Sequence, residues 1–213
     1  MPKLEQVMEN IKSILCLNGD VHNAGVFNKF KNLPVIAADG AVNKVLKLNI
    51  LPDLIVGDGD SIESNDKLNN IEYIRSPNQN YTDFEKSLNV MQKRKLLPCI
   101  VTGVSGGELE HTLYNLQVIA RHDNFLFHDS ACHDKLKFGI FISTDFTATL
   151  KINSTISILP YPRAVVSSCG LKWELDNYNL CINNKASIRN MTANNNVSIS
   201  LSSGRAMVIF EVF

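Results

Sequence analysis

Short, wholly apolar runs that close on an acid or a glycine recur through the first part of this chain. They constrain its fold more than any other feature. Pro34-Val35-Ile36-Ala37-Ala38-Asp39-Gly40 and Leu54-Ile55-Val56-Gly57-Asp58 each read as a strand ending on an acid. Ser13-Ile14-Leu15-Cys16-Leu17-Asn18-Gly19 and Cys99-Ile100-Val101-Thr102-Gly103 are strands of the same kind. Between them lie helical periods. Ala41 to Leu48 has Val42, Val45, Leu46 and Leu48 apolar, Thr82 to Lys93 opens on a capping box of Thr82 and Glu85, and His111 to Ala120 forms a further helix. Strands alternating with helices predict βα units around a mainly parallel sheet.

The texture changes near residue 140. Phe138-Gly139-Ile140-Phe141-Ile142, Thr147-Ala148-Thr149-Leu150 and Thr155-Ile156-Ser157-Ile158-Leu159 are short strand-like segments, several alternating apolar with polar residues. Val197-Ser198-Ile199-Ser200-Leu201 and Met207-Val208-Ile209-Phe210 repeat the pattern, with Asn, Ser and Pro-rich turns between. The expected fold is an α/β N-terminal domain with a mainly parallel sheet, residues 1–138, followed by a C-terminal antiparallel β-sandwich domain, residues 139–213.

Lys plus Arg equals Asp plus Glu at 21 each, and no basic stripe stands out, so nucleic acid is not an expected partner. Charges and Asn interrupt every apolar stretch, so no membrane span is expected. The N-terminal residues lack a signal-peptide core, and the five cysteines show no CxxC spacing. The expected setting is therefore the reducing cytoplasm.

Chemistry concentrates at the predicted strand ends. In a parallel sheet the carboxyl ends share one edge, so Asp39, Asp58 and Asp60 should gather there, with Asp83 at the start of the next helix. Converging carboxylates repel unless a cation sits among them, and oxygen-only donors suit Mg²⁺ with phosphate. Each acid taken alone could equally be a turn or cap residue. Thr102-Gly103-Val104-Ser105-Gly106-Gly107 is a glycine-rich strand-to-helix loop whose backbone N–H groups could approach phosphate, though it is no Walker A motif.

Four motifs, in order, resemble the thiamine pyrophosphokinase family. They are Asp39-Gly40-Ala41-Val42-Asn43; Pro52-Asp53-Leu54-Ile55-Val56-Gly57-Asp58-Gly59-Asp60-Ser61; Gln79-Asn80-Tyr81-Thr82-Asp83-Phe84-Glu85-Lys86; and Gly170-Leu171-Lys172-Trp173-Glu174-Leu175. The resemblance implies transfer of the pyrophosphoryl group of ATP to the thiamine hydroxyl, by a homodimer with active sites at its interface. It implies Asp58, Asp60 and Asp83 as catalytic Mg²⁺ ligands. Asp39, Asn43, Gln79, Thr82, Lys86, Gly106 and Gly107 would then bind nucleotide, and Trp173, Ser187, Asn190 and Glu110 thiamine. A flat aromatic is a platform for a pyrimidine or a cationic thiazolium, whereas an unmatched single Trp would be read as core.

The chain departs from the family pattern at four places. Glu108 stands where the family has an Arg facing phosphate, Glu110 where it has Asp, Gly59 where it has Phe, and Arg189 where it has Ser. A Glu beside a polyanion is repelled, so Arg189 is expected to supply the lost guanidinium. Two alternatives stay open: a pyrophosphokinase of another alcohol such as a pterin, or a weakly active thiamine or nucleotide binder. His128, Asp129, Cys132, His133 and Asp134 could mimic a metal cluster and are read as solvated loop residues.

Overall fold

The computed structural model describes residues 3–131 and 135–212. Contacts divide the chain into two compact units: residues 11–121 and 125–131 form an α/β unit, and residues 3–10, 122–124 and 135–212 a β unit. Helix α1 (Leu4–Asn10) belongs to the β unit, where the Glu5 carboxylate accepts the Thr149 N–H at 2.9 Å.

The α/β unit runs β1 (Ser13–Cys16), α2 (Gly25–Lys29), β2 (Val35–Ala38), α3 (Ala41–Lys47), β3 (Leu54–Gly57), β4 (Glu72–Arg75), α4 (Asp83–Lys93), β5 (Cys99–Thr102), α5 (Leu109–Ile119) and β6 (Leu126–His128). Its strands lie in the order β6-β5-β1-β2-β3-β4, every neighbouring pair parallel. Strands β1, β2, β3 and β5 are buried at all four residues, which is why they read as continuous apolar runs. Helix α4 buries Phe84, Leu88 and Met91, one stripe at helical spacing worth about 1.5–3 kcal/mol per side chain. The chain builds outward from β1 to β4, then returns to place β5 on the other side of β1. That reversal between β1 and β5 opens a crevice beyond their carboxyl ends.

The β unit contains β7 (Leu136–Ile142), β8 (Phe146–Thr149), β9 (Thr155–Cys169), β10 (Tyr178–Cys181), β11 (Ser187–Met191) and β12 (Asn196–Val212). The two long strands β9 and β12 are antiparallel partners, with register shifts at Leu201/Ser203 and Gly204/Ala206. The shifts let each strand serve two sheets. The first part of β12 pairs with β8 and the last part of β9, which also holds β10. The second part of β12 pairs with β7 and the first part of β9, which also holds β11. Phe146 and Phe210, both wholly buried, meet from the two sheets at 6.0 Å between ring centres. The sandwich is as expected, except that the two separate strands read near residues 197–210 are one. Ser202-Ser203-Gly204 interrupts the alternation, and the bulges absorb the interruption.

Candidate active site

Two loops zip together at the switch point. The Leu17 N–H donates to the Thr102 carbonyl at 2.8 Å, Gly19 N–H to the Gly103 carbonyl at 3.0 Å, and Asp20 N–H to the Ser105 carbonyl at 2.7 Å. Beside them lies a cavity of about 670 Å³, walled by the ends of β2 and β3, the first turn of α4 and the start of α5.

Three carboxylates converge at its edge. Oxygens of Asp39, Asp58 and Asp60 lie within 4.8 Å of one another. Asp39 is 3% exposed and held in a left-handed conformation at φ 44°. Its Oδ1 accepts the Gly59 N–H at 2.8 Å, fixing the loop between Asp58 and Asp60. Gly57 makes this possible, because a Cβ there would stand 2.5 Å from Asp39 Oδ1. At Gly59, a Cβ would stand 2.5 Å from the Tyr73 hydroxyl, which donates to the Gly57 carbonyl at 3.2 Å. Tyr73 from β4 therefore fills the space that a side chain at position 59 would need. Three oxygen donors with no nitrogen or sulfur among them fit a hard divalent cation.

Asp83 does not join that trio. Its Oδ1 accepts from Lys86 Nζ at 2.8 Å, and the same ammonium reaches Asp58 Oδ2 at 3.3 Å. Burial pushes the Asp83 carboxyl up, Lys86 pulls it down, and the nearby Asp39 and Asp58 charges add to the rise. Asp58 is held below the usual carboxylate range, first by the Gln79 amide, which donates at 2.9 Å, and further by Lys86. Burial would lower the Lys86 pKa, but its pairs with Asp83 and Asp58 outweigh that and raise it. The Lys86 side chain is only 3% exposed.

Other sequence-predicted residues have more local roles. Thr82 caps α4: its hydroxyl accepts the Glu85 N–H at 3.3 Å, and Glu85 returns the bond to the Thr82 N–H at 3.1 Å. Asn43 clamps the loop after β3, donating to the Ser61 carbonyl at 2.8 Å and accepting from Glu63 N–H at 3.1 Å, and does not line the cavity. Gly106 and Gly107 line it in left-handed conformations, and Glu108 lines it at the N-cap of α5. Glu110 is exposed on the first turn of α5 and does not line this cavity. His111, Tyr114 and Asn115 of α5 complete the wall and were not singled out from sequence. His128 is buried, not solvated; its Nδ1 lies 3.0 Å from Thr102 Oγ1 and burial lowers its pKa to about 4. Cys132, His133 and Asp134 lie outside the described residues.

The β unit holds a second constellation. Trp173 is 55% exposed, so it fills no core, and the Lys172 ammonium sits 4.8 Å from its ring centre. Buried Asn190 fixes it: Asn190 Oδ1 accepts the Trp173 N–H at 3.2 Å and Nδ2 donates to the Trp173 carbonyl at 2.7 Å and to Ser187 Oγ at 3.3 Å. Glu174 Oε1 accepts the N–H groups of Gly170 and Leu171 at 2.7 and 2.9 Å, closing the turn before Trp173. Arg189 sits at φ 56°, its N–H donating to Ser157 Oγ at 2.9 Å.

An open parallel sheet with an acid-lined crevice at its switch point, and an antiparallel β unit in the same chain, define a two-unit α/β-plus-β protein with a polar site. The family model "Thiamin pyrophosphokinase, catalytic domain" matches residues 29–127, and "Thiamin pyrophosphokinase, vitamin B1 binding domain" matches residues 143–206. Thiamin pyrophosphokinase 1 of Caenorhabditis elegans is 28% identical, covering 97% of this chain and 92% of that protein. The thiamin pyrophosphokinase structure from Candida albicans superposes with a TM-score of 0.82 at 17% identity, covering 99% of this chain and 92% of the other. The yeast thiamin pyrophosphokinase structure gives 0.77 at 17% identity, covering 100% and 90%. The chain belongs to the thiamin pyrophosphokinase family.

Proposed function

We propose that this protein transfers the pyrophosphoryl group of ATP to the hydroxyl of thiamine, giving thiamine diphosphate and AMP. The observation that carries the reading is the convergence of Asp39, Asp58 and Asp60 on a cavity beside a glycine-rich loop, in a chain whose second unit matches a vitamin B1 binding domain.

The hydroxyl oxygen of thiamine attacks the β-phosphorus. The bond from that phosphorus to its α-bridging oxygen breaks, AMP leaves with the electron pair, and the hydroxyl proton is lost. Positioning and neutralisation of charge do most of the work in such a transfer. Asp58 and Asp60, with Asp39, are the residues to hold magnesium, which when bound supplies positive charge to the phosphates. Asp83 acts beside them through Lys86, whose ammonium is set between Asp58 and Asp83. Gln79 orients Asp58, and the N–H groups around Gly106 and Gly107 face phosphate oxygens. Thr82 contributes by capping the helix that carries Asp83 and Lys86. In the β unit, Trp173 gives thiamine a stacking face, with Asn190 and Ser187 holding it in place.

The same reading makes the protein a cytoplasmic homodimer. Exposed Leu109 and Leu113 on α5, and exposed Ile182 and Ile188 in the β unit, are apolar surface that an interface would cover. No described helix is long and apolar enough to cross a membrane. Glu108 on the cavity wall favours one second reading, a nucleotide or thiamine binder of low activity. Quantifying AMP and thiamine diphosphate after incubation with ATP, thiamine and Mg²⁺ tests both: stoichiometric formation of the two supports transfer, and binding without product supports the second.

A further inference from the structure

Glu85 was notable in the sequence only as the third residue of a helix cap, yet its side chain does more than cap. Oε2 accepts from the Thr82 N–H and from the Thr82 hydroxyl, both at 3.1 Å. Oε1 accepts from the Tyr114 hydroxyl at 3.0 Å and from Arg121 Nη1 at 3.1 Å. Arg121 in turn lies 5.5 Å over the Tyr114 ring. The side chain of Glu85 is 16% exposed, and Glu85 and Tyr114 both line the cavity.

We propose that Glu85 is a positioning residue that locks the first turn of α4 to α5, one carboxylate oxygen serving each helix. Both helices carry part of the wall of the site. Asp83 and Lys86 flank Glu85 on the same turn of α4, while Glu108, His111 and Tyr114 come from the start of α5. Asp83, Lys86 and Asp58 form a chain of contacts at 2.8 and 3.3 Å, so a small tilt of that turn moves the whole chain. Displacements of about 1 Å in such a constellation can cost on the order of a hundredfold in rate.

A carboxylate is the one side chain able to do this. Its two oxygens accept at both ends, whereas an amide presents one oxygen and one NH₂. Glutamine turned to satisfy Thr82 would aim its NH₂ at α5, where the Tyr114 hydroxyl can accept but the Arg121 guanidinium has no acceptor to offer. Turned the other way, it would aim NH₂ at the Thr82 N–H. At least one of the bonds that Glu85 makes is lost in either case, and the link between the helices is weakened.

The proposal rests on the cavity being the nucleotide site, and its test separates the two. Tyr114→Phe removes one of the two bonds at the α5 end, leaving the Arg121 bond and the capping box whole, so the fold is not at risk. Expected results are a kcat lowered about five- to tenfold in Tyr114→Phe and in Glu85→Gln, and a double variant no worse than Glu85→Gln alone. The thermal midpoint of Tyr114→Phe should fall by only a few degrees, too little to account for the loss of kcat. A wild-type kcat in Tyr114→Phe overturns the proposal, because the bond from the cavity-lining Tyr114 would then position nothing. Additive losses overturn it too, because Tyr114 would then act on substrate independently of Glu85. If the parent forms no AMP, the assigned activity fails first, and the same three variants are compared for Mg-ATP affinity by calorimetry. There, a non-additive weakening of about fivefold supports the lock and unchanged affinity removes it.

Discussion

Replacing Gly57 by alanine adds one methyl group at the centre of the acid cluster. The new carbon would stand 2.5 Å from Asp39 Oδ1, 2.6 Å from Asp39 Cβ and 2.9 Å from Asp39 Cα. Comfortable carbon contacts begin near 3.5 Å, so Asp39 would have to retreat by about 1 Å. It has little freedom to do so. Asp39 is buried, its N–H donates to the Val56 carbonyl at 2.8 Å, and its backbone already occupies the left-handed region at φ 44°. Overpacking of this kind costs about 1–3 kcal/mol. For a chain of this length, about 2 kcal/mol corresponds to a midpoint lower by about 4–8 °C. The displaced carboxylate would also release the Gly59 N–H, so the loop bearing Asp58 and Asp60 loses its anchor. Turnover should therefore fall at least about tenfold, more than the loss of stability alone would give. Calorimetric melting and AMP release are the assays, with Asp39→Gly added to Gly57→Ala as the variant that recovers part of the lost midpoint. A Gly57→Ala protein with parental melting and turnover would refute the role assigned to Asp39.

Asp58→Asn and Asp60→Asn should each lower turnover by roughly a hundredfold or more with the fold intact, Asp58→Asn also losing the Lys86 pair that helps the Gln79 amide hold its carboxyl low; near-normal AMP release in both would remove the metal assignment. Arg189→Ser should raise the KM for ATP if its guanidinium offsets the charge of Glu108, and unchanged ATP kinetics would end that idea. Glu211 offers a test by pH. Burial would raise its pKa, but the Lys135 ammonium at 2.9 Å and the Thr155 N–H at 3.3 Å outweigh it and hold the carboxyl low. Its stabilisation is thus present above the ordinary carboxylate pKa and lost as pH falls through the depressed one. Glu211→Gln should cost about 1–3 kcal/mol at neutral pH, with the gap to the parent closing in acid; a pH-independent gap would contradict the linkage. Light scattering at micromolar concentration should give twice the chain mass, and a fully active monomer would rule out a site shared between chains.

The parallel strands were legible because burial on both faces leaves a plain apolar run, and the acids were legible because they end those runs. Helix α4 declared itself through Thr82 and Glu85. Strand β4 did not, since Glu72-Tyr73-Ile74-Arg75 is an edge strand with exposed side chains and no alternation to read. Three-residue β6 was too short for any period. The division of labour among the acids was also hidden in part. The i,i+3 spacing of Asp83 and Lys86 on α4 makes their pair readable, but the second bond from Lys86, to Asp58 on a distant segment, is not. Tyr73 filling the room left at Gly59, and Asn190 gripping both backbone groups of Trp173, are contacts between distant segments that only the folded chain brings together.

The most direct measurement is a product balance with purified protein, ATP, thiamine and Mg²⁺, resolved by chromatography, with thiamine or metal omitted in parallel. The expected result is one AMP for each thiamine diphosphate, and neither product when thiamine is left out or the metal is chelated. Formation of ADP with thiamine monophosphate, or AMP release that does not depend on thiamine, would contradict pyrophosphoryl transfer.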